Sequence, residues 1–195
     1  RTIQLSDIEQ KALKSLFEGR LPREEKRNYS VSLEALGTDA DAVLITQGEF
    51  MRRTQEMARL QPGMNFYGEM PEGYNVVLNT EHPLIERLLT SERETVEPKL
   101  SSLRAQLQEQ NELVEAARTV QSAKKPEEVT AAEREELDAL TSKQTELEGK
   151  ISEEIKKFGA EEMLVGQLVD LALLGNGLLS GEALAAFIRR SQQLL

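Results

Sequence analysis

Hydrophobic positions recur at helical spacing over most of this chain and alternate with polar ones in only a few short stretches. From Ser6 to Gly19 the pattern predicts a helix, with Ile8, Leu13, Leu16 and Phe17 on the buried stripe. Ser6 caps it, Glu9 completes a capping box, and Gly19 followed by Leu21-Pro22 stops it. The period then changes. Tyr29, Val31 and Leu33 alternate with Ser30, Ser32 and Glu34, as in a half-buried strand. After a turn at Gly37-Thr38-Asp39-Ala40-Asp41, Ala42-Val43-Leu44-Ile45 reads as a second strand, and we expect the two to pair as an antiparallel hairpin. Thr46 with Glu49 suggests another capping box, opening a helix from Gln47 to Leu60. Its loose apolar stripe of Phe50, Met51, Met57, Ala58 and Leu60 is interrupted by Arg52, Arg53 and Arg59. A loop rich in Gly, Pro, Met and aromatic residues leads to a third strand, Tyr74-Asn75-Val76-Val77-Leu78. A short helix from His82 to Thr90 follows, with Pro83 in its first turn and Leu84, Ile85, Leu88 and Leu89 apolar.

Between Ser91 and Gly159 the composition shifts to Glu, Gln, Lys, Arg, Ala and Leu. Leu100, Leu103, Leu107, Val114 and Ala117 form one heptad seam with Gln110 as its polar member. Lys124-Lys125-Pro126 interrupts, and Thr130 with Glu133 restarts a helix through a capping box. Leu137, Leu140, Leu147, Ile151 and Phe158 make the second seam, with Gln144 polar on it. Two such helices joined by a short breaker predict an antiparallel coiled-coil hairpin, inserted between two globular segments. The chain ends in two more helices, broken at Gly175-Asn176-Gly177, with Ser180 as the predicted cap of the second. Leu164, Val165, Leu168, Val169, Leu171, Ala172 and Leu173 cover most of the first helix, leaving Gly166, Gln167 and Asp170 as a narrow polar strip. A helix apolar on nearly all sides must be covered on nearly all sides. One face can pack on its own domain; the remainder points to a second copy of the chain, so this pair is expected to be a dimerisation element. The expected interface residues are Leu164, Leu168, Leu171, Leu174, Leu178, Leu184, Phe187, Ile188, Arg190 and Leu194.

Composition narrows the function. The 195 residues carry 24 Lys and Arg against 34 Asp and Glu, a net charge of −10, which argues against a nucleic-acid partner. Cysteine is absent, which removes disulfides, thiolate metal sites and cysteine nucleophiles and is compatible with a reducing cytosol. No apolar run reaches the ~18–20 residues of a membrane span, and no membrane partner is expected. His82 is the one histidine, and its place before Pro83 suits a cap better than catalysis. Glu133, Glu135, Glu136 and Asp138 read as a solvated helix face rather than a metal cluster, with Arg134 among them. The glycines from Gly63 to Gly73 match no phosphate-binding pattern. Arg189 and Arg190 complement the dipole of the last helix and can pair with Asp170 or Glu182. No catalytic, metal or cofactor-binding residue is therefore expected. For Met51, Leu60, Met64, Phe66 and Tyr67 two readings stand: the core of a small mixed domain, or an exposed, adaptable contact surface. Phe50 and Tyr74 are expected in the core. The chain begins at Arg1 and is expected to be a fragment of a longer protein.

Several segments are more specific than their periodicity. Ile45-Thr46-Gln47-Gly48-Glu49-Phe50-Met51-Arg52-Arg53, Phe66-Tyr67-Gly68-Glu69-Met70-Pro71 and Val77-Leu78-Asn79-Thr80-Glu81-His82-Pro83-Leu84 occur in that order. Asp170-Leu171-Ala172-Leu173-Leu174, Ser180-Gly181-Glu182-Ala183-Leu184 and Phe187-Ile188-Arg189-Arg190-Ser191 close the chain. Together they resemble the C-terminal domain of bacterial members of the heat-shock protein 90 family of chaperones, over residues 1–91 and 160–195. The resemblance implies a homodimer held by a four-helix bundle built from the last two helices of each copy. It implies a cytoplasmic, bacterial protein whose ATP and magnesium sites lie in N-terminal and middle domains that this chain does not match. It also implies that the helix at Gln47–Leu60 and the loop after it contact unfolded clients, through Met51, Met57, Leu60, Met64, Phe66 and Tyr67. No Met-Glu-Glu-Val-Asp tail follows Leu195, so partners that read such a tail are not expected. The predicted fold is thus α+β: a small, mostly antiparallel sheet with helices in 1–91, a coiled-coil hairpin in 92–159, and dimerisation helices in 160–195 that belong to the first unit. A different class of function, a coiled-coil scaffold or adaptor working through 92–159, is the alternative.

Overall fold

The structure is a computed structural model that describes residues 4–60 and 71–195. Helix α1, Asp7–Glu18, opens on the expected capping box: the Ser6 amide donates to Glu9 Oε2 at 2.8 Å and the Glu9 amide to Ser6 Oγ at 3.3 Å. Ala12, Leu13, Leu16 and Phe17 are buried, while Ile8 in the first turn is exposed.

Three strands follow the α+β expectation, but their pairing differs from it. Strands β1 (Arg27–Glu34), β2 (Val43–Gln47) and β3 (Glu72–Asn79) form a mixed sheet in the order β1-β3-β2. β1 runs parallel to β3, with Tyr29 opposite Tyr74 and Leu33 opposite Leu78; β2 runs antiparallel, with Val43 opposite Leu78 and Ile45 opposite Val76. The predicted β1–β2 hairpin does not form, and the sheet is not mostly antiparallel. The reason is burial. Val76, Val77, Leu78 and Asn79 are all buried, so β3 takes the centre, where both of its edges are paired. The β1–β2 connection is instead held by the buried Asn79 side chain, which donates to the Gly37 carbonyl at 2.7 Å and accepts from the amides of Leu36 and Glu81 at 3.1 and 3.2 Å. Gly37 takes φ +88° there, a backbone that favours glycine. Tyr29 and Tyr74 stack across β1 and β3 with ring centroids 5.8 Å apart.

Helix α2, Glu49–Leu60, begins later than predicted, because Thr46 stays in the β2 ladder opposite Asn75 and so does not act as a cap. The Gly48 carbonyl takes the Arg52 amide instead. Helix α3, Pro83–Thr95, is capped by His82, whose Nδ1 accepts from the Leu84 amide at 3.1 Å, and it runs five residues past the predicted Thr90. The chain breaks at Val96 and continues as α4, Glu97–Ser122, and α5, Ala131–Glu161. Their hydrogen bonds show an antiparallel pair: Gln121 Nε2 donates to the Glu133 carbonyl at 2.7 Å, Gln110 Nε2 to the Leu140 carbonyl at 2.8 Å and Gln144 Nε2 to Asn111 Oδ1 at 2.7 Å. Every residue named on the two seams is buried or half-buried, whereas Leu113 and Val120 face solvent. Thr130 caps α5 with Glu133, and Glu133 also pairs with Lys124 across the tip.

Helices α6 (Met163–Gly175) and α7 (Gly181–Gln193) complete the chain. The core joins α1, the sheet, α3, α6 and the proximal ends of the hairpin: Leu100, Ile151 and Ile155 sit in one cluster with Leu13, Phe17, Leu78 and Val165. Its tightest contact is α1 on α5. A Cβ at Gly19 would be driven into the Lys156 carbonyl, and one at Gly159 into the Leu16 carbonyl, so each glycine lets the partner helix's backbone come into contact. Ser15 Oγ and Ser152 Oγ share a 3.0 Å hydrogen bond beside them, and Lys11–Glu148 and Glu18–Lys156 ion pairs flank the crossing.

This contact generates a stability test. Gly19→Ala and Gly159→Ala should each destabilise the chain by about 2 kcal/mol or more, because backbone rather than a flexible side chain must give way. Gly149→Ala, also in α5 but with nothing near its missing Cβ, should be neutral or stabilising by up to about 1 kcal/mol. Urea denaturation followed by circular dichroism measures all three; equal effects at the three sites would contradict the packing argument.

Candidate functional site

Among the described residues, the terminal helices and α2 each present exposed large apolar side chains. The first is the terminal helix pair. In α6, Val165, Leu168, Val169, Ala172 and Leu173 are buried in the core, while Leu171 and Leu174 are exposed at 55% and 40%. In α7 no residue is fully buried: Leu184 and Phe187 lean on the core and Ile188 is exposed at 48%, while Leu194, directly after the helix, is exposed at 58%. Leu164, Leu178 and Arg190 are half-buried. Leu168 therefore packs inside its own protomer, and Leu171, Leu174, Ile188 and Leu194 are the expected interface residues that reach solvent.

The pair is locked by a polar register. Asp170, the one acid on the apolar helix α6, is 6% exposed and lies between two guanidinium groups: Arg190 of α7 pairs with it directly, and Arg20, just after α1, approaches to 3.7 Å. Arg190 Nε also donates to Gln167 Oε1 at 3.3 Å, and Gln167 Nε2 donates to Ser191 Oγ at 2.6 Å. Arg189 pairs with Glu182 at 2.7 Å on the surface. These are the partners foreseen for the two arginines. Removing one member of a buried charge pair typically costs about 3–5 kcal/mol, so the register sets how α7 lies on α6. Sequence reading missed Arg20, which is 150 positions from Asp170. Its one trace is Gly166, where a Cβ would come within 2.9 Å of Arg20 Nε. Ser180 is the residue before α7, but its side chain makes no capping bond. The turn between the helices uses Gly177 at φ +67°, and the Leu178 amide closes on the Leu173 carbonyl at 2.9 Å.

The second place is α2. None of its described side chains is buried; Met57 and Leu60 are exposed at 66% and 80%, and Met51 is half-buried. A Gln47–Gln55 hydrogen bond of 3.0 Å ties it to β2, and an Arg53–Glu49 pair lies along its surface. Met64, Phe66 and Tyr67, predicted to share this surface, lie outside the described residues, as does the Phe50 side chain. Tyr74, expected in the core, is half-buried against Tyr29; burial and the neighbouring Glu72 push its hydroxyl up to about 12.

The remaining features offer little chemistry. A cleft of about 450 Å³ lies between α1 and α3, but Arg93 on its wall is paired with Glu9, and Glu81 accepts from the Gly37 amide at 2.7 Å. Among the described residues no group of three or more His, Asp or Glu is placed to hold a metal ion, and no helix is long and apolar enough to cross a membrane.

No family model and no solved structure matches the chain. Curated bacterial proteins do. A chaperone protein HtpG of Porphyromonas gingivalis is 52% identical over 193 residues, covering 99% of this chain and 28% of the relative. HtpG of Bacteroides fragilis is 38% identical, and that of Bacteroides thetaiotaomicron 37% identical, each over 191 residues, 98% of this chain and 28% of the relative. The chain thus spans somewhat over a quarter of the length of the curated relatives it matches, and the matched region includes the α4–α5 hairpin. Identity at this level, from end to end and across a hairpin of unusual composition, means that the chain belongs to the HtpG family of chaperones and corresponds to their C-terminal domain.

Proposed function

We propose that this domain holds two copies of a chaperone together through α6 and α7, as a four-helix bundle, while α2 offers its exposed face to unfolded client protein. The observation that carries the reading is the set Leu171, Leu174, Ile188 and Leu194: four large apolar side chains facing solvent on helices whose opposite sides are fixed by core packing and by the Asp170–Arg190 register. Fully burying a side chain of this size is worth about 1.5–3 kcal/mol. Four per protomer, counted on both copies, can exceed the ~4–15 kcal/mol that association costs in lost freedom. The ATP and magnesium chemistry of the whole protein belongs to regions outside this chain, and tethering the C-terminal domains raises the effective concentration of those regions for each other. The cytoplasm is its expected location. In this reading α4 and α5 form a coiled coil whose distal part projects, while its proximal part is core.

The chain should behave as a dimer of about twice 21.9 kDa in light scattering at micromolar concentration. Leu171→Glu and Ile188→Glu should each give a folded monomer, because both side chains already face solvent in the protomer and a charge there would be buried unpaired only in the dimer. A monomeric parent would overturn the dimer reading, and two unchanged dimers would place the interface elsewhere. A double change, Met57→Ser with Leu60→Ser, should leave the dimer intact and weaken suppression of client aggregation by the full-length protein several-fold; unchanged suppression would remove α2 from the client surface. The scaffold alternative rests on the hairpin, which the HtpG relatives share. Because Leu100, Ile151 and Ile155 are core, the discriminating variant replaces only residues 108–143 with a short glycine–serine turn. Loss of chaperone action with the dimer and domain intact would favour the scaffold, and retention would exclude it.

A further inference from the structure

The base of the hairpin contains an acid that dimerisation and client contact do not use. Glu92 lies in the last turn of α3, four residues before the break at Val96, and is 2% exposed. Its Oε1 is buried with no hydrogen-bond partner. The neighbour of the carboxyl is another carboxyl, that of Glu97 in the first turn of α4. Arg104, two turns further on, grips Glu97 with both arms of its guanidinium, Nε to Oε2 at 3.1 Å and a terminal nitrogen to Oε1 at 2.6 Å. Two carboxyl groups therefore share one cation, and the cation is engaged by Glu97. With Glu92 buried and Glu97 and Arg104 only partly exposed, such a pair holds one proton between them, and it resides on the buried partner without the cation.

The surrounding charges do not change this. Arg93, next to Glu92 on α3, is exposed and ion-paired with Glu9 of α1. Helix α1, packed on α3, and α5, packed on α4, pair their charges with each other through Lys11–Glu148 and Glu18–Lys156. Burial, then Glu97, raises Glu92 to about 7, while Arg104 holds Glu97 below the ordinary carboxylate range. Val96, buried in the core, joins α3 to α4: its amide donates to the Glu92 carbonyl at 2.8 Å, and its side chain offers α4 no cap.

We propose that the α3–α4 junction is a proton-operated hinge, in which Glu92 keeps its proton and donates it to the Arg104-bound Glu97 while α4 is seated. Loss of that proton leaves a bare carboxylate facing another, and water reaches it only when the chain opens at Val96. The first turns of α4 then loosen, and the hairpin is carried by α5, which its glycine contact with α1 keeps in place. The sign follows from the direction of the shift. The folded group binds its proton more tightly than the opened one, so the seating is fully stable below the ordinary value of 4.5 and is lost as pH rises from there through about 7. Above that window both states are ionised and the effect levels off.

Hydrogen exchange on the 195-residue chain, corrected for the intrinsic pH dependence of exchange, tests this. Protection of amides in residues 92–104 should fall at least tenfold between pH 5 and pH 7.5 and then flatten, while that of β3 stays level. Glu92→Gln should abolish the fall, because the neutral amide mimics the protonated acid. An equal fall in Glu92→Gln, or a flat wild-type profile, overturns the proposal. Carbon-13 titration of the Glu92 carboxyl in the unmodified chain gives an independent answer should that variant fail to fold: a midpoint near 7 is expected, and one near 4.5 overturns the hinge.

Discussion

The rest of the structure depends on the backbone contact between α1 and α5. Gly19 faces the Lys156 carbonyl and Gly159 faces the Leu16 carbonyl, so the two helices cross with no side chain between them. This approach aligns Ser15 with Ser152, brings Phe17 and Leu16 onto Ile155, and lets a 31-residue helix serve two purposes. Its N-terminal half forms the hairpin with α4; its C-terminal half is a wall of the core. Because α5 passes into α6 at Glu162 with one residue between them, the position of the terminal helices follows from the same crossing. The stretch from 92 to 159 thus differs from its surroundings in composition, yet its base belongs to the body.

What was legible in the sequence was whatever depends on neighbours along the chain. The Ser6–Glu9 and Thr130–Glu133 boxes, the His82 cap and the two seams with their glutamines are all local patterns, and all are present. Pairing across long separations was not. The alternation in β1 shows that one face is buried, but nothing in it selects β3 over β2 as partner; that follows from the fully apolar Val76–Leu78 and from the clamp that Asn79 makes on Gly37. Thr46 carries a valid capping pattern, and the strand ladder outcompetes it. Gly19 was legible as a stop; its second role, and that of Gly159, exists only once α5 lies against α1. Glu92 sits in a polar run and looks like surface until α4 folds over it.

The candidate interface follows the same division. A wheel shows that α6 is apolar nearly all round, but it cannot say which leucines its own domain takes. Asp170 resolves this once its partners are known. Arg190 and Gln167 mark the strip of α6 that α7 covers, and Leu171 and Leu174 lie one and four positions beyond Asp170, at the rim of that strip. Leu168, on the core side, is taken by the protomer. Arg190, one of the expected interface residues, pairs within the protomer with Asp170, and the exposed Leu171, Leu174 and Ile188 share the surface of α6 and α7 with the exposed polar residues Glu182, Arg189, Gln192 and Gln193.

The proposed dimer interface and the proposed client surface would meet opposite demands. In the proposed dimer tethering would have to persist, and burial of four aliphatic side chains per copy would supply a contact that salt does not screen. Client contact must be reversible. Among the described side chains of α2 the exposed large apolar ones are Met57 and Leu60, whose complete burial is worth about 3–6 kcal/mol before any ordering cost. A dissociation constant of 1 mM already corresponds to about 4.1 kcal/mol. In the proposed reading one such helix would hold a client weakly and release it readily. Two of them on one dimer, offered to one unfolded chain with several apolar segments, gain from effective concentration what neither gains from contact. In the proposed chaperone, dimerisation is then a condition of client binding as well as of coupling the remote ATP-dependent parts, and the strength of α6–α7 pairing compensates for the weakness of α2.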